Sequence, residues 1–277
     1  MKTRAVKAII KKDIMAIGSN VQIWLPMLLI PIIFSLVLPG VLIIPARFYE
    51  LTTIGNMDTI LKLLDNLPPG ALREITLSFD TVNKKMIYFA VNYLFAPFFL
   101  IIPLMAASVI GANSFAGEKE RKTMESLLFA PVALPSLFWA KILSAFLPAF
   151  FLTILCSLLY GLMVNLTAYP LFHALIFPQP NWLILLFWVT PALSLGAVFV
   201  NVLISAKVKG FQEAYQLGGL VILPVLVLFV GQITGLLLVN TVFLWWLGAS
   251  LWLIDLIFIK RVGERLNRDK LFASQVL

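Results

Sequence analysis

The chain has 277 residues, of which 61% are apolar and only 12% charged, and its formal charge is +8. No soluble domain could hide that much apolar surface, and basic residues that flank apolar runs without interleaved aromatics exclude a nucleic-acid-binding face. The single cysteine, Cys156, excludes an intrachain disulfide and any CxxC or zinc-type framework.

Residues 1–20 read as an amphipathic helix. Val6, Ile10, Ile14 and Ile17 recur at helical spacing while Arg4, Lys7 and Lys11 fall opposite, the pattern of a helix lying in the cytoplasmic headgroup layer. Asp13 points into the apolar face, where it either pairs with Lys12 or meets a partner or a neighbouring helix end. Six apolar segments follow, each long enough for a hydrocarbon core of about 30 Å, which takes roughly 20 helical residues. They are Val21–Ile44, Met86–Ala112, Leu137–Val164, Trp182–Ala206, Leu217–Val239 and Thr241–Ile259. The first is too long for a cleaved signal sequence and is expected to remain as a span.

Between the spans, residues 45–85 form an extracellular segment, in which Ile60, Leu61, Leu63, Leu64 and Leu67 predict a short surface helix ended by Pro68-Pro69-Gly70. The uncharged stretch from Asn165 to Asn181 is expected to dip along the interface. A tight turn at Asn240 joins the last two spans. Prolines inside each of the first five spans predict kinks. Sixteen of the 21 lysines and arginines fall on the side that holds the amino terminus, so both termini are expected in the cytoplasm and the protein in the cell membrane.

The chemistry that could reside in such a bundle is limited. His173 is the only histidine and lies in an outer loop, and no paired acids, H-E-x-x-H or nucleophile elbow occur, so neither a catalytic nor a metal site is expected. The first five spans hold no acidic group. In the sixth, Asp255 stands about one turn from Lys260 and Arg261 and reads as a helix-end carboxylate paired with or near those cations. Ion coupling then lacks its usual intramembrane carboxylate, and the energy for transport is expected from outside the bilayer. Asn92, Ser108, Thr190, Asn201 and Gln232 are the neutral polar residues of the spans, able to line a pathway or to hold helices together.

The segment 113–136 carries dense charge of both signs beside Leu127-Leu128-Phe129. Glu118 with Lys122 and Arg121 with Glu125 have i,i+4 spacing, which predicts one helix closed by Pro131, either simply solvated or docking onto another protein. At this place the chain resembles the permeases of the type-2 ABC exporter family. Their loop after the second span reads as a glutamate, a basic-acidic run, Thr-Leu-Glu, two leucines and a proline. Glu118, Arg121, Thr123, Glu125, Leu127, Leu128 and Pro131 stand in matching places. Ala140-Lys141 is similar to the family's Gly-Lys, Glu213-Ala214 with Gln216 and Pro224 to its motif before the fifth span, and Lys12-Asp13 suits its interfacial helix. Lys122 and Ala140 stand where glycine is frequent.

The resemblance implies an all-α integral membrane protein of one domain. It would export substrate in partnership with a second permease subunit and two separate ATPase subunits, through ATPase coupling at Glu118, Arg121, Thr123, Glu125, Leu127 and Leu128. ATP and its Mg would be bound by the partner, because the chain has no G-x-x-x-x-G-K-[ST] loop. The neutral spans lean toward a hydrophobic or amphipathic cargo such as a drug, peptide or lipid-like molecule, while sodium efflux and glycan export, which occur in similar-looking families, stay open. An ATPase-independent channel or secondary carrier is the alternative.

Overall fold

The computed structural model describes residues 3–19, 21–51, 58–65, 67, 70–129, 133–234, 237 and 239–265, and every regular element among them is helical. Six helical stretches are long and apolar enough to cross a membrane: Met27–Arg47, Val82–Glu120, Pro135–Phe172, Pro180–Lys207, Phe211–Ile233 and Thr241–Lys260. The number agrees with the hydropathy reading because a bilayer forces every backbone polar group to be satisfied within its own segment. The protein is therefore a multi-pass membrane protein.

The second span is the axis of the bundle. Its apolar stretch is 89% buried, against 17% in the sixth, and the first, third, fourth and fifth spans all pack on it. Lipid-facing sides are lined by exposed leucines and aromatics, for example Leu158, Phe187, Val227 and Leu253. At the end of the second span where Ala96–Glu120 begins, Phe99, Tyr160, Phe177 and Trp182 form a cluster of rings 4.8–5.2 Å apart that joins the second, third and fourth spans.

The prolines act less as simple kinks than as partners of π-helical turns. Ile33–Val37, Ala90–Leu94 and Leu185–Val189 each widen their span by one residue just ahead of Pro39, Pro97 and Pro191. A proline has no N–H for the carbonyl four residues back, so such a break frees carbonyls that must find other donors. In the second span they are supplied by other helices. Val91 O accepts from the Tyr160 hydroxyl at 2.8 Å, Asn92 O from Asn181 Nδ2 and Trp182 Nε1 at 2.7 and 3.1 Å, and Tyr93 O from Gln232 Nε2 at 2.7 Å. Pro103, Pro148 and Pro170 sit inside helices that continue past them.

Several boundaries differ from the sequence reading. The stretch after Val164 does not leave the bundle, because the helix runs on to Phe172 and turns at His173, whose φ of 52° ends it. Asn165, which looks like a loop residue, instead receives the returning chain. Its Oδ1 accepts from the N–H groups of Ile176 and Phe177, and its Nδ2 donates to Phe177 O. The fifth span begins at Phe211, six residues earlier than its hydropathy suggests, and its helix ends at Ile233. The segment after the first span has the expected helix, Asp58–Asp65, and a second one at Ala71–Leu77 that the sequence pattern did not reveal. Pro68 and Pro69 lie outside the described residues.

Candidate functional site

Three consecutive charges, Glu118, Lys119 and Glu120, close the second span after more than thirty residues without one. Successive side chains on a helix diverge by about 100°, so the three point in different directions, and each ties the axis of the bundle to a different element.

Glu118 turns inward and is 2% exposed. Its Oε1 accepts from Lys12 at 2.9 Å and lies 3.3 Å from Lys141 Nζ, while Oε2 accepts the Thr123 hydroxyl. Lys141, 1% exposed near the start of the third span, also meets Asp13, whose Oδ1 and Oδ2 are 3.1 and 3.0 Å away. Ser144 completes the set by donating to Asp13 Oδ2 at 3.2 Å. Two carboxylates and two ammonium groups are thus assembled from the N-terminal helix Thr3–Ser19 and the second and third spans. A buried charge is tolerated only when paired and hydrogen-bonded, and here Glu118, Lys141 and Asp13 each have at least two partners, while the half-exposed Lys12 meets Glu118. Asp13 therefore meets a neighbouring helix, one of the two roles its sequence position allowed.

Lys119 reaches the other way. Its Nζ donates to Ala206 O at 2.8 Å and Val208 O at 3.0 Å, capping carbonyls at the end of the fourth span's helix, where a cation also suits the helix dipole. Glu120 does the converse for the fifth span: its Oε1 accepts the Phe211 N–H at 2.8 Å, placing an anion on a helix N-terminus. Gly210 makes this approach possible, since a Cβ there would lie 2.9 Å from Glu120 Oε1.

The charged segment is not the single helix that its spacing predicts. The helix stops at Glu120, and a short one, Met124–Phe129, starts afresh. Neither i,i+4 pair forms along one helix, and Glu118 is spoken for by Lys12 and Lys141. The stop is a Schellman turn: Thr123 N–H bonds Glu118 O, Lys122 N–H bonds Lys119 O, and Lys122 adopts a φ of 56°. That left-handed position explains why glycine is frequent there in the resembled family, and why lysine is strained. Lys122→Gly is accordingly expected to stabilise the protein by about 0.5–1 kcal/mol, seen as a higher melting temperature in detergent.

Beyond the turn the surface is open. Arg121, Lys122 and Glu125 are exposed, as is Phe129, while Met124 is buried and anchors the short helix. The side chains of Leu127 and Leu128, and all of Pro131, lie outside the described residues.

The other predicted polar residues lie deep among the helices, with Asn92, Ser108, Thr190, Asn201 and Gln232 all at 0–1% exposure. Asn201 is the busiest. Its Nδ2 donates to Ala197 O at 2.8 Å and to Ser108 Oγ at 3.3 Å, and its side chain fills the space that glycines leave at 111 and 218. One turn on, Ser205 accepts from Phe115 and Ala116 N–H and donates to Ala112 O, a contact the sequence reading missed, as it missed the inward roles of Lys119 and Glu120. Asp255 is a correction. It is 1% exposed, packs against Gly196 of the fourth span, and makes no ion pair with Lys260 among the described residues. One turn of separation did not suffice, because the carboxylate points into the bundle and the lysine out of it.

Six spans gathered around one axis, with the charged end of the second span binding four other elements, define a polytopic membrane protein. A family model described as ABC-2 family transporter protein matches residues 48–249, and the chain belongs to that family as a permease of an ABC transporter. No curated protein and no solved structure matches it.

Proposed function

We propose that the chain is the transmembrane subunit of an ATP-driven exporter that moves a hydrophobic or amphipathic substrate outward across the cell membrane. It works with a second permease subunit and with separate ATPase subunits that bind ATP and Mg. The charged end of the second span lies in the cytoplasm, as do both termini, and the N-terminal helix lies along the headgroup layer with Lys12 and Asp13 holding it to the bundle. The observation that carries this reading is the run Glu118-Lys119-Glu120, which joins the second span to the N-terminal helix and to the third, fourth and fifth spans. A push on the exposed turn at Arg121 to Glu125 reaches all of them as one body, which alternating access requires.

In this reading the coupling residues divide their work. Arg121 and Glu125 meet the ATPase, while Glu118 and Thr123 pass the movement inward. Arg121→Ala combined with Glu125→Ala is expected to leave the complex assembled and hydrolysing ATP while ATP-driven dye uptake into inverted vesicles, which corresponds to export from the cell and is followed with a panel of amphipathic fluorescent dyes, falls to the level of membranes lacking the permease. Full export by that variant would refute the assignment. One observation favours the alternative of an ATPase-independent channel or secondary carrier, namely the buried carboxylate of Asp255. Transport by the purified chain alone in liposomes would establish it.

A further inference from the structure

A groove of about 790 Å³ runs along the third span on the half of the bundle away from Glu118. Its floor is Ser157 and Gly161; one wall is the ridge Leu158, Leu162 and Leu166, and the other is formed by Leu175, Phe177, Pro178 and the start of the fourth span, including Phe187. Among the described residues, no charged one lines it.

The groove is built into the fold. Gly161 lets the far wall pack directly on the third span, because a Cβ there would lie 2.7 Å from the Phe177 ring. The far wall is held upright by Asn165, which grips the backbone of Ile176 and Phe177 by three hydrogen bonds. Ridge residues Leu158, Leu162 and Leu166 are 65%, 59% and 66% exposed, so they stand up toward the lipid and leave the slot open between them and Phe187, itself 61% exposed.

Depth and direction identify the occupant. At 1.5 Å per residue, Ile154 stands ~20 Å and Tyr169 ~42 Å along the helix from Lys141, which marks the charged end. A bilayer is about 40–45 Å thick with its headgroups, so the slot begins near the midplane and ends at the opposite headgroup layer. It runs along the span, as acyl chains do; apart from Ser157 on the floor, its polar side chains, Asn165 and Tyr169, lie toward the headgroup end, where tyrosine is favoured. Left empty, the slot would forfeit dispersion contacts along its whole length.

We infer that this groove holds an acyl chain of a phospholipid from the leaflet opposite the Glu118 cluster, its headgroup beside Tyr169 and its tail toward Ile154. The test is photolabelling of the full chain in phosphatidylcholine nanodiscs that contain a minor fraction of phosphatidylcholine with a diazirine in one acyl chain, followed by peptide mapping. Residues 154–187 should be labelled above the lipid-facing side of the sixth span at Leu253 and Leu256, which are equally exposed. Leu162→Trp, a change on the outer ridge that the fold can accept, should bring groove labelling down to that level and leave the sixth span unchanged. Equal labelling of the two regions in the parent chain, or undiminished groove labelling in Leu162→Trp, would overturn the inference. So would disulfide-linked dimers of Leu162→Cys, which would assign the groove to a second copy.

Discussion

Glu118→Ala is expected to destabilise the protein by about 3–5 kcal/mol, because it leaves the Lys141 ammonium buried with half of its compensation gone. Lys141 cannot escape to water at 1% exposure, and Asp13, its remaining partner, is held by a helix that Lys12 no longer anchors. Melting of the purified protein in detergent would show the loss. The decisive comparison is the double variant Glu118→Ala with Lys141→Met, which removes both charges of the pair and should recover part of the stability, since a buried ion pair replaced by apolar groups is often neutral; the remaining loss is that of Asp13, which Lys141→Met leaves with Ser144 but without its cation. Equal loss in the single and double variants would mean that the pair is not coupled. Lys12→Ala should cost well under about 1 kcal/mol, because Lys12 is half-exposed and water replaces its interaction. Glu118 thus differs from Arg121 in kind: its removal loosens the bundle, whereas removal of Arg121 leaves the bundle intact and disengages a surface.

Two adjacent glycines of the fifth span should respond with opposite signs. A Cβ on Gly218 would stand 1.7 Å from Asn201 Oδ1, and Asn201 is held in place by Ala197 O and Ser108. Gly218→Ala is therefore expected to cost about 1–3 kcal/mol or more through overpacking. Gly219 has open space at that position, so Gly219→Ala gains about 0.5–1 kcal/mol from reduced backbone freedom. Thermal melts of the two variants side by side would decide the matter, and Asn201→Ala should relieve Gly218→Ala because it removes the atom in the way. If both alanine variants behave alike, the second, fourth and fifth spans do not meet at Asn201 as described.

Much of the architecture was readable in the order of residues. The sixth span begins where its hydropathy says it should, with Asn240 accepting the Phe243 N–H at 2.8 Å to start the helix. The segment around Glu118 stood out by charge density alone, and Asp13 by its place on the wrong side of a helical wheel. What spacing misjudged was continuity. Helical periodicity passes through Arg121-Lys122-Thr123 unbroken, because a lysine at a left-handed position has no signature of its own, whereas a glycine would have marked the stop. Asp255 was misread for a similar reason: sequence distance to Lys260 says nothing about which way either side chain faces.

Hydropathy and length by themselves determined that this is a six-span membrane protein, because each crossing must satisfy its own backbone and does so within consecutive residues. Only the tertiary structure decided which charges meet. Lys12 finds Glu118 across 106 residues and Lys141 finds Asp13 across 128, and partners that distant in sequence are selected by how helices pack, a property that no local pattern contains.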